Sequence, residues 1–278
     1  MDGPISQYVL GNTDAEHERL IRQAARLSPY TERLFREAGI GPGQRILDIG
    51  SGVGDVAMLA ARLVGPSGEV VGVERDARSL ARATTRVAEA GLRNVSFLQS
   101  DIEQMKRDDL FDGAVGRLIL QFLPDPVAVL RCLSRFVRPG GVVAFHEATW
   151  APLLQFTAQL PLWSACVSLI RETFQRSGAN TEMEVVIFRS FVGAGLPSPT
   201  MWMEMPIGND SFFAGWVSDL LHSVRPKIQQ HGLSYAALGD FDTLRQRLGA
   251  ELGERKSPGA CIGLVSAWCR VPKSVSAS

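Results

Sequence analysis

The stretch from Arg45 to Glu74 constrains the fold more than any other part of this chain. Ile46, Leu47 and Ile49 fit a short buried strand. Gly50, Gly52 and Gly54 follow at every second position, and Val56 to Leu63 opens an Ala- and Leu-rich helix. The apolar run Val70 to Val73 reads as a second strand, and it ends in Glu74. A strand, glycine loop, helix, strand and acid in that order presents a helix N-terminus whose free N–H groups face a polar ligand. Glu74 stands where a carboxylate accepts hydrogen bonds from both hydroxyls of a ribose. The stretch reads as a nucleoside-binding site.

The glycine spacing separates two kinds of nucleotide site. A dinucleotide fingerprint, G-x-G-x-x-G, counted from Gly50 needs its third glycine at position 55, which is Asp55. An aspartate there repels a diphosphate and is tolerable beside a ligand whose reactive end is a sulfonium cation. Asp48-x-Gly50-x-Gly52-x-Gly54 instead resembles the first motif of class I S-adenosylmethionine-dependent methyltransferases of the small-molecule, UbiE-like type. The resemblance implies S-adenosylmethionine (SAM) as cofactor and S-adenosylhomocysteine as product. It sets Asp48, Gly50, Ser51, Gly52, Gly54 and Asp55 around the methionine and ribose portions, with Glu74 and the adjacent Arg75 at the ribose.

Further motifs follow in the family's order. Val95 to Ile102 looks like a third strand, and Asp101-Ile102 matches the pair that family members set against adenine. Phe111 to Arg117 looks like a fourth strand that delivers Arg117 to the cofactor edge. Val137-Arg138-Pro139-Gly140-Gly141 resembles the turn before a fifth strand, Val142 to Phe145. Tyr8 resembles the N-terminal tyrosines that close over SAM in small-molecule members. The implied fold class is α/β: a Rossmann-like seven-stranded, mostly parallel sheet with helices on both faces. Helical lid insertions are expected after strand 5 and between strands 6 and 7.

The expected organisation is a helical cover over residues 1–40, a SAM-binding core over 41–150, a helical lid over 151–180, and completion of the core over 181–278 with an insertion at 209–256. Asp14 to Ala38 alternates Arg and Glu with apolar residues, as one or two amphipathic helices broken near Ser28-Pro29 would. Asp76 to Ala90 and Asp125 to Phe136 read as helices after the second and fourth strands. Ala151 to Ser177 carries Phe156, Leu160, Trp163, Leu169 and Phe174 at helical spacing. Glu182 to Val192 fits a last core helix, Thr200 to Ile207 a sixth strand, and Ala260 to Val271 a final strand.

Composition supports an enzyme of this kind. A chain of 278 residues, 45% hydrophobic, can bury a full α/β core and still carry accessory helices. Its 29 basic and 29 acidic residues are mixed, so nothing suggests a grip on nucleic acid. Cys132, Cys166, Cys261 and Cys269 lack C-x-x-C spacing, which fits neither a zinc site nor a disulfide framework and suits a reducing cytoplasm. The N-terminal residues lack the basic and apolar regions of a signal peptide, and no apolar run reaches membrane-spanning length. The expected partner is a small-molecule acceptor, without nucleic acid or membrane, and homo-oligomerisation stays open.

Candidate bases for the transfer are His146 and Glu147 at the end of the fifth strand, with His222, and Glu172, on the later helices. His146 and Glu147 are neighbours on a strand, so they face opposite sides and one of them meets substrate. Glu147 is the preferred base, and its alternative role is an ion pair with Arg117. Two further readings of the chain stand beside methyl transfer: a SAM-binding enzyme of different chemistry, and a non-catalytic SAM-binding module.

Overall fold

In the computed structural model, the described residues are 9–11, 13–105 and 109–273, so Tyr8 lies outside them. A long helix, α1 (Asp14–Glu37), precedes an alternation of strand and helix: β1 (Arg45–Ile49), α2 (Asp55–Val64), β2 (Glu69–Glu74), α3 (Ala77–Glu89), β3 (Val95–Gln99), β4 (Phe111–Arg117), α4 (Pro126–Ser134) and β5 (Val137–Thr149). The chain continues through α5 (Ala151–Thr157), α6 (Pro161–Arg176), α7 (Met183–Gly193), β6 (Thr200–Glu204), β7 (Ile207–Gly208), α8 (Phe212–Gln230), α9 (Leu244–Arg255), β8 (Gly259–Ala260) and β9 (Gly263–Arg270). These segments form two compact units.

One unit comprises Leu20–Glu147, Met183–Met203 and Val265–Ser278. Its framework is a seven-stranded sheet in the order β3-β2-β1-β4-β5-β9-β6. Strands β1 to β5 pair in parallel, with Asp48 opposite both Gly72 and Val115, and Arg117 opposite His146. Chain order reverses between β1 and β4, and the crevice beyond the carboxyl ends of strands at such a switch point is where open α/β sheets bind ligands. The end of β1 carries the glycine loop, and the end of β4 carries Arg117.

Alternation along the strands sorts the core into two layers. Leu47, Ile49, Val71, Ala114, Val143 and Phe145 pack with Leu130 of α4 and with Ile187 and Phe191 of α7. Ile46, Val70, Val115, Val142 and Ala144 pack with Leu34 and Phe35 of α1 and with Val56, Ala57 and Ala60 of α2. Successive residues of a strand face opposite sides, so Asp48, Arg117 and His146, each two residues beyond a member of the second cluster, face the α1 and α2 side. Glu147, two beyond Phe145, faces the other.

The second unit comprises Met1–Arg19, Ala148–Glu182 and Glu204–Leu264. Trp163 of α6 is fully buried, and its indole N–H donates to the Leu248 carbonyl of α9 at 3.1 Å. Glu251 of α9 accepts from the N–H groups of Leu162 and Trp163, closing the first turn of α6. Trp150 lies against Phe174 and Trp216, with ring centroids 5.4 and 6.4 Å apart. A short antiparallel pair, β7 with β8, ties Ile207 to Ala260.

Four expectations need correction in detail. Helix α1 runs without a break through Pro29. The ring removes the donor to the Ala25 carbonyl, while burial of Leu27, Thr31, Leu34 and Phe35 on one face anchors the helix on both sides of it. The helical stretch expected over Ala151 to Ser177 is two helices, because Pro161 starts a new one at its first position. Strand β5 extends from Val137 to Thr149, the Pro139-Gly140-Gly141 turn being a register irregularity inside it rather than a boundary. The expected sixth strand, Thr200 to Ile207, stops at Glu204, the expected final strand, Ala260 to Val271, starts at Gly263, and Ile207 and Ala260 join instead the separate pair of β7 with β8.

Candidate cofactor site and its buried polar row

The glycine loop is held by the strand that follows it. Gly50, Gly52 and Gly54 have φ values of 62°, 52° and 87°, in the left-handed region that a side chain disfavours. Ser51 N–H donates to the Val73 carbonyl, and the Gly54 N–H donates to the Ser51 carbonyl. Glu74 accepts from the Gly52 N–H at 2.9 Å with one oxygen and from the Arg75 and Asp76 N–H groups with the other. A Cβ on Gly50 would fall 2.6 Å from Ile119, whereas one on Gly52 would meet nothing nearer than the Gly50 carbonyl at 4.0 Å. Gly50 is small because the turn after β4 packs on it. Gly52 faces open space, where a ligand can approach the backbone.

Asp55 does not stand free beside that space. Arg86 of α3 donates to Asp55 at 2.7 Å and to the Val53 carbonyl at 2.6 Å, so it clamps the loop at both ends of the helix start. Asp101 caps the short 3-10 turn Ile102–Gln104 by accepting from the Glu103 N–H, and the Arg75 guanidinium lies 3.9 Å from its other oxygen. Ile102 belongs to the apolar cluster on the α4 and α7 side.

Beneath the strand ends lies a row of buried polar groups on the α1 and α2 face. Asp48 is fully buried and no donor meets either oxygen in full hydrogen-bond geometry, the Ala57 N–H being the backbone group that favours its charged form. Burial pushes its carboxyl well above the usual range, with the Arg117 charge pulling the other way. Burial likewise lowers Arg117, against the pull of Asp55 and Asp48. The Ser51 hydroxyl is another buried group without a partner. His146 is fully buried, its Nδ1 3.0 Å from the Thr31 hydroxyl of α1 and its Nε2 unpartnered. Burial first, then the charge of Arg117, hold its pKa down at about 3, so the ring is neutral at physiological pH.

Glu147 is fully buried on the opposite face, as strand alternation requires. Its partner is not Arg117. One oxygen accepts from the Ile119 and Leu120 N–H groups at 3.0 Å, and the other from Gln121 at 3.3 Å. These are the donors at the start of a 3-10 turn, Leu120–Phe122, so the carboxylate does the work of a cap. Leu118, just before, sits at φ 55°, and Leu118 N–H donates to the His146 carbonyl. Burial raises the Glu147 pKa to about 7 although three N–H groups favour its charged form. Arg117 instead donates to Thr31 at 3.2 Å.

The structure therefore gathers Asp48, Gly50, Ser51, Gly52, Gly54, Asp55, Glu74, Arg75, Asp101, Ile102 and Arg117 in one unit, around the switch point. His222 belongs to the other unit, exposed on α8, with Nδ1 2.8 Å from the Ser218 carbonyl and its ring edge-on to Phe241. Glu172 pairs with Arg176 one helical turn on. Sequence reasoning missed Thr31 and Arg86. Arg86 carries no spacing signal, and Thr31 looks like any other polar residue of an amphipathic helix.

Comparison with known proteins agrees with this geometry. Residues 40–185, more than half of the chain, match the family described as a methyltransferase domain. The ubiquinone/menaquinone biosynthesis C-methyltransferase UbiE of Coxiella burnetii is 37% identical over 116 residues, 40% of this chain and 46% of that protein. An arsenite methyltransferase of Halobacterium salinarum is 32% identical over 111 residues, 40% of this chain and 28% of that protein. The chain thus spans less than half the length of either curated relative. Protein BH2331 of Bacillus halodurans C-125 shares the fold over 87% of this chain and 98% of its own, with a TM-score of 0.56 and 17% identity.

Proposed function

Because the chain belongs to the methyltransferase-domain family, we propose that it transfers a methyl group from SAM to a small organic acceptor. The observation that carries this reading is the glycine loop at the switch point, with the Gly52 N–H held by Glu74 and open space in front of Gly52. The residues fit the cofactor. Glu74 would release its backbone donors in exchange for ribose hydroxyls, Asp101 and Ile102 would flank adenine, and the unpartnered Asp48 and Ser51 would meet the methionine end. When bound, SAM supplies a methyl group activated by a sulfonium.

What this chain's own residues add is alignment and exclusion of water, which supply much of the rate in an in-line displacement. Of the proposed bases, Glu147 has both oxygens engaged by the turn at residues 119–121, and we read it as the group that shapes that turn. His222 points at its own helix. His146 keeps a buried ring nitrogen without a partner.

The small-molecule reading gains support from the relatives. By name, UbiE methylates carbon in quinone biosynthesis and the Halobacterium enzyme methylates arsenite, yet each shares a segment of similar length with this chain. Likeness of this extent to enzymes with such unlike acceptors fits a shared methyl donor. The test is acceptor-dependent release of S-adenosylhomocysteine from SAM. Tight SAM binding without release on any acceptor would leave a binding module, and product formation without SAM consumption would identify a different chemistry.

A further inference from the structure

Three polar groups from three separate elements converge on one hydroxyl. Thr31 is fully buried on α1, and its oxygen lies 3.2 Å from the Leu27 carbonyl, 3.0 Å from His146 Nδ1 and 3.2 Å from Arg117 Nη1. A hydroxyl has one proton and two lone pairs, and a guanidinium can only donate. All three contacts are satisfied together in one arrangement: the Thr31 O–H donates to the Leu27 carbonyl, while Arg117 and His146 Nδ1 both donate to Thr31. His146 then carries its proton on Nδ1, and Nε2 is a bare lone pair. That lone pair is buried and has no partner. A buried acceptor left unpaired calls for a ligand that donates to it.

We propose that the His146 Nε2, fixed by Thr31 and Arg117 as positioning residues, seats a neutral O–H or N–H group of the methyl acceptor. The proposal rests on the methyltransferase reading and names the acceptor class that it leaves open. Charge selects between the two sources of donor hydrogens. The cofactor's ammonium would stand beside the Arg117 guanidinium, whose charge already disfavours an imidazolium at His146. A neutral hydroxyl, phenol, amine or amide meets no such repulsion. With its pKa held far below neutrality the ring accepts a hydrogen bond and leaves the free acceptor neutral, so its part is to aim the acceptor's lone pair at the methyl group; after transfer, an oxonium passes its proton through the ring to solvent, and an ammonium loses its proton to solvent.

Nitrogen NMR of the histidines in the full chain tests the arrangement without any acceptor. His146 is expected to be protonated on Nδ1 and bare on Nε2 from about pH 5 to about pH 8, and the opposite tautomer or an imidazolium in that range would overturn the proposal. With S-adenosylhomocysteine present, a naphthohydroquinone or a neutral primary amide as probe should move the Nε2 signal, whereas SAM alone should not. A shift on adding SAM alone assigns the lone pair to the cofactor and sinks the idea, as does silence towards both probes.

Thr31→Val should weaken the responding probe about tenfold, with calorimetric SAM affinity unchanged and Thr31→Ser restoring the probe. Equal losses for SAM and probe would count against it. Failure of the wild-type protein to release S-adenosylhomocysteine with any acceptor would defeat the parent reading alone, because the tautomer measurement does not depend on turnover.

Discussion

The glycine loop and the helices α6, α8 and α9 use sequence in opposite ways. In the loop the information lies in the backbone: three glycines at positive φ, an N–H aimed at Glu74, and open space where a Cβ would stand. In the helices it lies in volume. Trp163, Val167, Ile170, Phe213, Val217 and Leu221 fill a core, and many other apolar sets would fill it equally well. A backbone requirement admits few residues, so it can be read from a sequence. A volume requirement admits many, so the helices conceal what they select.

Substitutions can break this contrast or sharpen it. Gly52→Val should abolish SAM binding while the protein stays folded, since the added side chain meets only open space and its cost in stability is the backbone strain of a β-branched residue at φ 52°, about 1 to 3 kcal/mol. Calorimetric affinity close to wild type would remove the loop from the site. Trp163→Ala should do the reverse, costing about 3 to 5 kcal/mol of stability in a denaturant titration with SAM affinity retained. A small cost there would mean that the helical core is not organised around that ring.

The third prediction concerns pH. Glu147 has a folded pKa of about 7, above its unfolded 4.5, so it contributes stability that is complete below pH 4.5 and is lost as pH rises through 7. The difference is about 3 kcal/mol. The raised Asp48 acts with the same sign. His146, with a folded pKa of about 3 against 6.5, acts with the opposite sign: its contribution is complete above 6.5 and is lost as pH falls through 3. Glu147→Gln should remove the first term, so stability between pH 5 and pH 7 should rise with pH more steeply, or fall less, than in the wild type. Superimposable pH profiles from urea melts would show that the carboxyl is ionised throughout.

The smallest effect is expected for Glu74→Ala, a loss of about 2 to 3 kcal/mol in SAM affinity. Retained affinity would overturn the ribose assignment and make Glu74 only a brace for the loop.

Much of the sheet was legible. The limits of β1 and β4, the start of β3 and the first acid-capped helix after β2 follow from runs bounded by glycine, aspartate or proline, whereas β3 stops at Gln99, short of the expected Ile102, because Asp101 caps a 3-10 turn there. Less legible was every arrangement made by residues distant in sequence. Pro29 looked like a break because the local rule is strong, and burial of Leu27, Thr31, Leu34 and Phe35 on one face carries the helix through it. Glu147 looked like a base or a partner of Arg117 because its charge was visible and the three N–H groups of the turn at 119–121 were not. Ile207 and Ala260 looked like strand ends because the apolar runs reach them, and only tertiary pairing takes them elsewhere.

Leu118 has a further consequence for how the site comes into being. A leucine at φ 55° has no local reason to stay there, so its shape is imposed by Glu147, 26 to 28 residues along the chain from the N–H groups it holds. Thr31 reaches Arg117 across 86 residues and His146 across 115. The glycine loop and Glu74, by contrast, close over 22. Folding should therefore assemble the cofactor cradle early and the polar row late, because loops of greater length are costlier to close. A chain arrested before β5 (Val137–Thr149) would hold the cradle and the Thr31–Arg117 contact, and would lack His146 and Glu147.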